Sequence, residues 1–584
     1  MNIIFDNLCK DYEGKIVFSG ISGRIDKNDK IGLIGVNGSG KTTLAKILSG
    51  IEGYEQGSIT YSPKELKIVY MNQVLNSFEN ANAYEFLFDL VEGKDKKSKE
   101  LKIRKSLDKV GLKEDCYNKP VKSLSGGEKT KLMLCKVLVE EFDLLILDEP
   151  TNHLDMESIK WLEEFIIKLN KTIIIISHDR YFLDKTSKKI WELSSKELKE
   201  YEGNYTKYRY QKEIETRNTL REYEKQQDKI EHLKDIIEDR KNWFNKAHKA
   251  AGQNDFLRSK SKKHVSVMKA KKKELERVES NRIERPKEET AACFDILNKG
   301  VINTKLPQYL VQGKNLDKSY GDKIIFKDAA FSIMRGERAA LIGSNGAGKS
   351  TLFKMINGID RNYGGSITIN PSVKIGYFAQ EIERLDYEKS ILDNVMSNEI
   401  TQGEARLLLA SLLFRGDAVF KKVTTLSMGE KCRVAFAKLI LSGANLLILD
   451  EPTNYMDIVS KEKIEEILAE FKGSIIFVSH DRYFINKLAT RIIKIDEQKL
   501  ISFEGSYEEY EANDNEKKKI KTEVNEYKNL KDIISKLEFE LAFLSGKLGE
   551  KLSEEEKKNV ENRFIETARQ INQYKDKLKC TNYI

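Results

Sequence analysis

Near the start of the chain, Gly35-Val36-Asn37-Gly38-Ser39-Gly40-Lys41-Thr42 follows the apolar run Ile31–Ile34 and precedes Thr43-Leu44-Ala45-Lys46-Ile47-Leu48. A strand, a glycine-rich turn and a helix in that order make a cradle for phosphate. The glycines let backbone N–H groups wrap an anion at a helix N-terminus, Lys41 reaches the terminal phosphates, and the Thr42 hydroxyl suits Mg²⁺. Further on, Leu144-Leu145-Ile146-Leu147 runs into Asp148-Glu149-Pro150. An acidic pair ordinarily marks a solvated loop. Here it ends an apolar strand in a chain that already carries a phosphate cradle, which puts Asp148 beside the metal and Glu149 beside an attacking water. Leu124-Ser125-Gly126-Gly127-Glu128 precedes the apolar helix Leu132–Val139, so the amides of Ser125, Gly126 and Gly127 are candidate phosphate donors. An ordinary glycine turn before a helix would look the same locally. His178 stands at the end of Ile173–Ile176. A lone histidine is more often structural, and this one gains weight only from a copy elsewhere.

That copy exists. Gly35 and Gly343 are 308 residues apart, Gln73 and Gln380 are 307 apart, and Leu124/Leu426, Asp148/Asp450 and His178/His480 are each 302 apart. An offset this steady means two homologous domains rather than a solenoid, whose periods are about 20–50 residues. The second cradle is Gly343, Asn345, Gly346, Gly348, Lys349 and Ser350 with Thr351 opening its helix, matching Gly35, Asn37, Gly38, Gly40, Lys41, Thr42 and Thr43. Asp450 and Glu451 repeat the acidic pair, and Ser427 and Gly429 repeat the glycine turn with Met428 in the place of Gly126. The expected fold is α/β: two tandem P-loop domains, 1–204 and 312–512, joined by a helical linker, 205–311, and followed by a helical extension, 513–584.

Charged residues make up 33% and hydrophobic residues 40% of the 584. The longest apolar runs, such as Thr172–Ile176, fall far short of the ~20 residues that a membrane span needs. The first residues alternate like a strand, and no secretory signal is expected. Six cysteines are scattered without a CxxC pair, which argues against a zinc site and fits a reducing compartment.

The linker holds the charge. Residues 241–273 carry eleven Lys/Arg and one acid, a net +10 against +9 for the whole chain. Apolar residues at Tyr208, Ile214, Tyr223, Ile230, Leu233, Ile237 and Phe244 form one helical stripe, and Val265, Met268, Leu275 and Val278 form another. With a turn over 250–255, the expectation is an antiparallel hairpin with an irregular basic tip. A solvated spacer is the plain alternative, but solvated faces usually mix signs. Cations interleaved with aromatics suit a nucleic acid, through counterion release and base stacking. The tip candidates are Trp243, Phe244, Lys246, His248, Lys249, Phe256, Arg258, Lys260, Lys262 and Lys263. Stripes from Ile520 to Leu544 and from Val560 to Leu578, with a break near Gly546–Gly549, predict a second coiled coil in the tail.

The phosphate cradle, Gln73, the LSGGE pentapeptide, the LILDEP strand, Thr151-Asn152-His153-Leu154-Asp155 and His178 together resemble ATP-binding-cassette ATPases, and the resemblance spans both repeats. It implies ATP and Mg²⁺ as cofactors. Tyr12 and Tyr320 would stack on adenine, Gln73 and Gln380 would sense the Mg²⁺ held by Thr42 and Asp148 or by Ser350 and Asp450, and His178 and His480 would contact the terminal phosphate. Glu149 and Glu451 would be the catalytic bases, and Asp155 would lie in the loop that couples the sites. The cassettes would close head to tail, so that the Lys41 site faces Ser427 and Met428 while the Lys349 site faces Ser125 and Gly126. Met428 lacks glycine's backbone freedom and does not let the chain approach as closely, which predicts slower turnover at the Lys41 site.

Tandem cassettes, no membrane segment and a basic helical linker further resemble the soluble ABC-F subfamily. That implies a cytoplasmic protein without a membrane subunit, acting as a monomer on the bacterial ribosome near the tRNA exit site. The linker would point at tRNA and large-subunit ribosomal RNA. Only 51 residues separate Gln73 from Leu124, against 46 between Gln380 and Leu426, so the arm of housekeeping members looks absent. The extended linker and the helical tail resemble the antibiotic-resistance branch, with Trp243 to Lys263 as its loop. A housekeeping translation factor, an exporter ATPase and a DNA-repair ATPase are the rival readings. The exporter reading leaves the basic tip unexplained. The repair reading requires zinc cysteines or a far longer coiled coil.

Overall fold

In a computed structural model the described residues are 1–71, 82–90, 96–112, 116–124, 126–140, 142–152, 154–250, 255–283, 297–298, 301, 306–378, 385–397, 400–548 and 554–581. The chain divides into two compact units, Met1–Leu488 with Ile493–Ile501, and Ala489–Ile492 with Ser502–Ile584.

In the first repeat the apolar runs become the strands Lys30–Ile34, Leu144–Asp148 and Thr172–Ile176, buried at every position. They lie parallel in the order Ile68–Met71, Leu144–Asp148, Thr172–Ile176, Lys30–Ile34 and Lys189–Leu193, with Leu198–Glu202 antiparallel at the edge. Alternation sends their side chains to two layers. Leu144, Ile146, Ile174 and Ile176 pack with Ile3, Phe5 and Phe18 of an antiparallel sheet and with Leu44 of the helix Lys41–Leu48. Leu145, Leu147, Ile173 and Ile175 pack with Leu132 and Leu134 of the helix Gly126–Glu140 and with Ile159 and Leu162 of the helix Met156–Lys168. Strands covered on both faces read as unbroken apolar runs, which is why they were visible in the sequence. The antiparallel sheet is Lys15–Asp26, Asn2–Tyr12 and Gln56–Ser62.

The second repeat has the same plan: Lys323–Met334, Tyr309–Tyr320 and Gly364–Ile369 in one sheet, and Ile375–Phe378, Leu446–Asp450, Ser474–Val478 and Arg338–Ile342 in the other. The strand Tyr309–Tyr320 begins before the expected boundary at 312, and the helix Tyr507–Leu548 begins before 513, so both boundaries fall inside elements.

The linker enters as one helix, Tyr205–Ala250, 46 residues long and about 69 Å at 1.5 Å per residue. A second helix, Asp255–Ser280, pairs with it. Ile230 and Leu233 are buried, and Gln226 closes the pair by donating to the carbonyls of Val278 and Asn281 (3.4 and 2.8 Å) and accepting from the Ile283 N–H (2.8 Å). Of the expected turn over 250–255, residues 251–254 lie outside the described residues. Residues 243–250 hold no glycine or proline, and the helix continues through them. Among the tip candidates Trp243 and Phe244 are half-buried and Lys246 is exposed. The side chains of His248, Lys249, Phe256, Arg258, Lys260, Lys262 and Lys263 lie outside the described residues.

In the tail unit, the helices Tyr507–Leu548 and Glu554–Thr581 pair over buried Ile534, Leu544 and Ile571, with Glu540 to Arg563 (2.9 Å) and Glu538 to Lys575 (2.6 Å) across the seam. No helix among the described residues is long and apolar enough to cross a membrane.

Candidate active sites

Each glycine-rich loop sits at the carboxyl end of a central strand and opens a helix through a left-handed glycine, Gly40 with φ 94° and Gly348 with φ 111°. A Cβ on Gly40 would lie 2.6 Å from Val17 and 2.8 Å from Phe18, so space as well as backbone angle demands glycine there. Lys41 Nζ donates to the carbonyls of Gly35 and Val36 (2.9 and 3.2 Å), and Lys349 Nζ donates to those of Gly343 and Ser344 (2.7 and 3.1 Å). Burial lowers the pKa of both lysines, against the carboxylates facing them.

The acidic pairs end the strands Leu144–Asp148 and Leu446–Asp450. Asp148 accepts from the Tyr70 hydroxyl at 2.8 Å, and Asp450 accepts from Ser350. Glu149 and Glu451 both take φ 48°, a left-handed conformation unusual for glutamate. Two copies of one sparsely populated geometry at the same point mark a position where backbone strain is retained for a purpose. The bend brings each carboxylate to the next strand end. Glu149 accepts from the His178 N–H at 3.4 Å with His178 Nε2 at 3.5 Å, and Glu451 accepts from the His480 N–H at 3.3 Å with Nε2 at 3.4 Å. Burial pushes the Glu149 carboxyl up to about 7, against the cations of Lys461 and Lys41. Burial, then Lys41 and Lys461, lowers His178 to about 3, so its imidazole is neutral.

Two cavities lie where the repeats face each other. One, of 640 Å³, is bordered by Tyr12, Asn37, Gly38, Gly40, Lys41, Thr42, Thr43, Asp148, Glu149 and His178, and from the other repeat by Ser427, Met428, Gly429 and Lys461. The other, of 530 Å³, is bordered by Tyr320, Asn345, Gly346, Gly348, Lys349, Ser350, Thr351, Asp450, Glu451 and His480, and from the first repeat by Thr151, Asn152, Leu154 and Ile159. Asp457 accepts from the Asn37 N–H at 3.1 Å, and Asp155 accepts from the Asn345 N–H at 3.4 Å, so each glycine loop is tied to the opposite repeat. Gln73, Gln380, Ser125 and His153 lie outside the described residues. Gly127 packs so closely on Ser158 that a Cβ there would sit 2.5 Å from its hydroxyl.

Gly126 and Met428 both open right-handed helices, Gly126–Glu140 and Met428–Leu441. Neither position calls for glycine's left-handed freedom, so that part of the expected asymmetry is corrected. What remains is bulk: the Met428 side chain is 50% exposed and borders the Lys41 cavity.

The donor set fits a magnesium nucleotide. Ser39 Oγ is buried without a hydrogen-bond partner at the cradle, and a Cβ on Gly38 would meet nothing within 4 Å, which leaves room for an anion against the backbone. Thr42 with Asp148, and Ser350 with Asp450, offer the few hard oxygens that Mg²⁺ needs when phosphate and water supply the rest.

A family model described as ABC transporter matches residues 18–152 and 326–454, and an extension model with the same description matches 191–295. ABC transporter F family member 5 of Arabidopsis thaliana is 33% identical over 552 residues, covering 86% of this chain and 76% of that protein. The chain belongs to the ABC-F family of ATP-binding-cassette ATPases. Two bacterial relatives are about equally similar. Ribosome protection protein VmlR of Bacillus subtilis (strain 168) is 34% identical over 495 residues, 83% of this chain and 85% of that one. Energy-dependent translational throttle protein EttA of Escherichia coli (strain K12) is 33% identical over 526 residues, 82% of this chain and 90% of that one. As an ABC-F ATPase, the chain binds ATP and hydrolyses it.

Several residues of these sites escaped sequence reasoning. Tyr70 gave no signal beyond an apolar strand. Arg180 donates to Glu465, with Asp481 at 3.5 Å, and Arg482 donates to Glu163 through both oxygens (3.1 and 3.2 Å), a reciprocal buried clasp between cassettes. The 302-residue offset pairs Arg180 with Arg482 and Glu163 with Glu465, so aligning the repeats residue by residue would have exposed it.

Proposed function

We propose that this ATPase binds the bacterial ribosome and protects it from antibiotics that act at the peptidyl-transferase centre. The observation that carries the reading is the basic hairpin between two closed cassettes, a helix of 46 residues whose far end lies within a segment of net +10. Its likeness to VmlR, named a ribosome protection protein, over 83% of the chain supports the resistance assignment. Residues 1–204 and about 309–506 act as the motor, the hairpin reaches ribosomal RNA and tRNA, and the tail adds a further contact. The protein acts as a cytoplasmic monomer without a membrane subunit.

In this reading Tyr12 and Tyr320 hold adenine, and the cradles from Gly35 to Thr43 and from Gly343 to Thr351 hold the phosphates. Ser427 and Gly429 cover one nucleotide, and Ser125, Gly126 and Gly127 cover the other. Thr42 and Asp148 at one site, and Ser350 and Asp450 at the other, with Gln73 and Gln380, would hold Mg²⁺, which would lower the charge barrier to attack on the terminal phosphate. Glu149 and Glu451 orient and deprotonate water, while His178 and His480 steady the terminal phosphate. Two nucleotides close the cassettes and set the hairpin, and hydrolysis releases the factor.

The Glu149→Gln/Glu451→Gln double variant should co-sediment with ribosomes in ATP, and an exporter ATPase would not. Growth on lincosamides, pleuromutilins and streptogramin A then tests protection. The likeness to EttA, named a translational throttle, favours a second reading, a translation factor without drug phenotype. Trapped complexes combined with unchanged drug susceptibility would select it. Replacing residues 243–263 should abolish protection while sparing ATP hydrolysis.

A further inference from the structure

The two cassettes meet through contacts that come in matched pairs: Asp457 with Asp155, Arg180 with Arg482, Glu465 with Glu163. One residue in the middle of this set has no counterpart. Lys461, on the helix Ile458–Glu470 of the second cassette, donates from Nζ to the backbone carbonyl of His178 at 3.0 Å and to Asp481 at 3.3 Å. Its side chain is only 11% exposed. It crosses the boundary between cassettes and ends on the strand-end segment that carries His178 and faces Glu149, in the Lys41 cavity. Lys461 also borders the Lys349 cavity, and its two hydrogen bonds go to His178 and Asp481.

The matching position in the first cassette is Ile159, which borders the Lys349 cavity and carries no charge. An aliphatic residue therefore meets the packing needs of this helix position. Burying an ammonium instead costs several kcal/mol unless its donors are used, and here one is used within its own cassette, on Asp481, and one across the boundary, on the His178 carbonyl. The bond to His178 exists only while the cassettes are together, because its two ends lie on different cassettes.

We infer that Lys461 is a positioning residue supplied in trans to the Lys41 site, where it fixes the His178 backbone and sets a cation next to Glu149 on closure, while Ile159 leaves the Lys349 site without such a device. The inference rests on the assignment above of Glu149 and Glu451 as the bases of the two sites.

The test is single-turnover ATP hydrolysis by the full chain. In a Glu451→Gln background, where the remaining turnover belongs to the Lys41 site, Lys461→Met should lower the rate constant about tenfold and leave half-saturation by ATP within about twofold. Lys461→Arg should restore most of the rate. In a Glu149→Gln background, which reports the Lys349 site, Lys461→Met should change the rate by less than about twofold. Lys461→Ile, copying the other cassette, guards against a packing defect and should show the same selectivity. Equal slowing of both sites, or no slowing at the Lys41 site, overturns the inference alone. If Glu149→Gln and Glu451→Gln each leave turnover untouched before Lys461 is altered, the site assignment falls and the inference falls with it.

Discussion

The Lys41 and Lys349 cavities are built from the same parts and differ mainly in what reaches them from across the boundary. Within each cassette the glycine loop, the lysine, the left-handed glutamate and the strand-end histidine superimpose in role and nearly in distance: 3.4 and 3.3 Å from glutamate to the histidine N–H, 3.5 and 3.4 Å to its Nε2. Across the boundary, one cavity receives Met428 and Lys461 where the repeat has Gly126 and Ile159. Groups that hold the reacting phosphate tolerate little change, because misplacement by ~1 Å costs up to about a hundredfold in rate. Groups that report closure are free to diverge, and divergence there makes two similar engines unequal.

The comparison breaks most sharply at the bases. Glu149→Gln with Glu451→Gln should reduce steady-state ATP hydrolysis by at least about a hundredfold, the usual contribution of a positioned proton acceptor. The single variants sharpen the point. Independent sites leave a measurable residue of turnover in each, whereas complete loss in either one alone would show that the cassettes fire only together.

Next comes the clasp. Arg180 faces Glu465 and Asp481, while Arg482 faces Glu163. Removing one partner of a buried pair leaves the other charge uncompensated, at a cost of ~3–5 kcal/mol. When Arg180 is removed, Asp481 keeps Lys461 at 3.3 Å and Glu465 keeps Lys487 at 3.5 Å, whereas the ion pair of Glu163 is with Arg482 at 3.1 Å, so Arg482→Met should destabilise the closed form more than Arg180→Met. Thermal unfolding with and without ATP measures this, and equal losses would mean that Lys461 and Lys487 carry no share of the compensation.

How much of this was legible beforehand follows from burial and locality. The strands Leu144–Asp148 and Thr172–Ile176 announced themselves because strands covered on both faces must be apolar throughout, and the cradle did so because its glycines have fixed spacing. The left-handed backbone of Glu149 could not be read, since nothing in its sequence neighbourhood requires it. It follows from the hydrogen bond that its carboxylate makes to His178, 29 residues away. The hairpin was legible from its two apolar stripes, and the helices Tyr205–Ala250 and Asp255–Ser280 end on either side of the Ala251-Gly252-Gln253-Asn254 stretch where the turn is expected. For Met428 the sequence offers two differences from glycine, backbone freedom and close approach, and the right-handed helix that it begins leaves only the second.

Acidity offers a gentler probe. Burial holds the Glu149 carboxyl near 7 in the folded protein, above its ordinary 4.5. Below about 7 it is protonated and cannot take a proton from water, so Lys41-site turnover in a Glu451→Gln background should decline as pH falls through that value. Stability runs the opposite way for this group. Between about 4.5 and 7 the folded chain holds a proton that the unfolded chain has released, so its contribution falls as pH rises across that window. A flat rate profile from pH 6 to 8 would remove Glu149 from the role of base.

The smallest expected effect concerns Met428. Its side chain borders the Lys41 cavity, and Ser427 behind it is already committed, accepting from the Glu430 N–H as helix cap. Met428→Gly would widen the approach to the nucleotide without altering that cap. It would also place a poor helix former at a first-turn position, where the cost is below the ~1 kcal/mol of a helix interior. Turnover at the Lys41 site should then rise roughly two- to fivefold in single-turnover assays, an effect of about 1 kcal/mol or less. The converse, Gly126→Met, should slow the Lys349 site by a similar factor. If both changes leave both rates alone, bulk at this point is idle and the asymmetry of the cavities rests on Lys461.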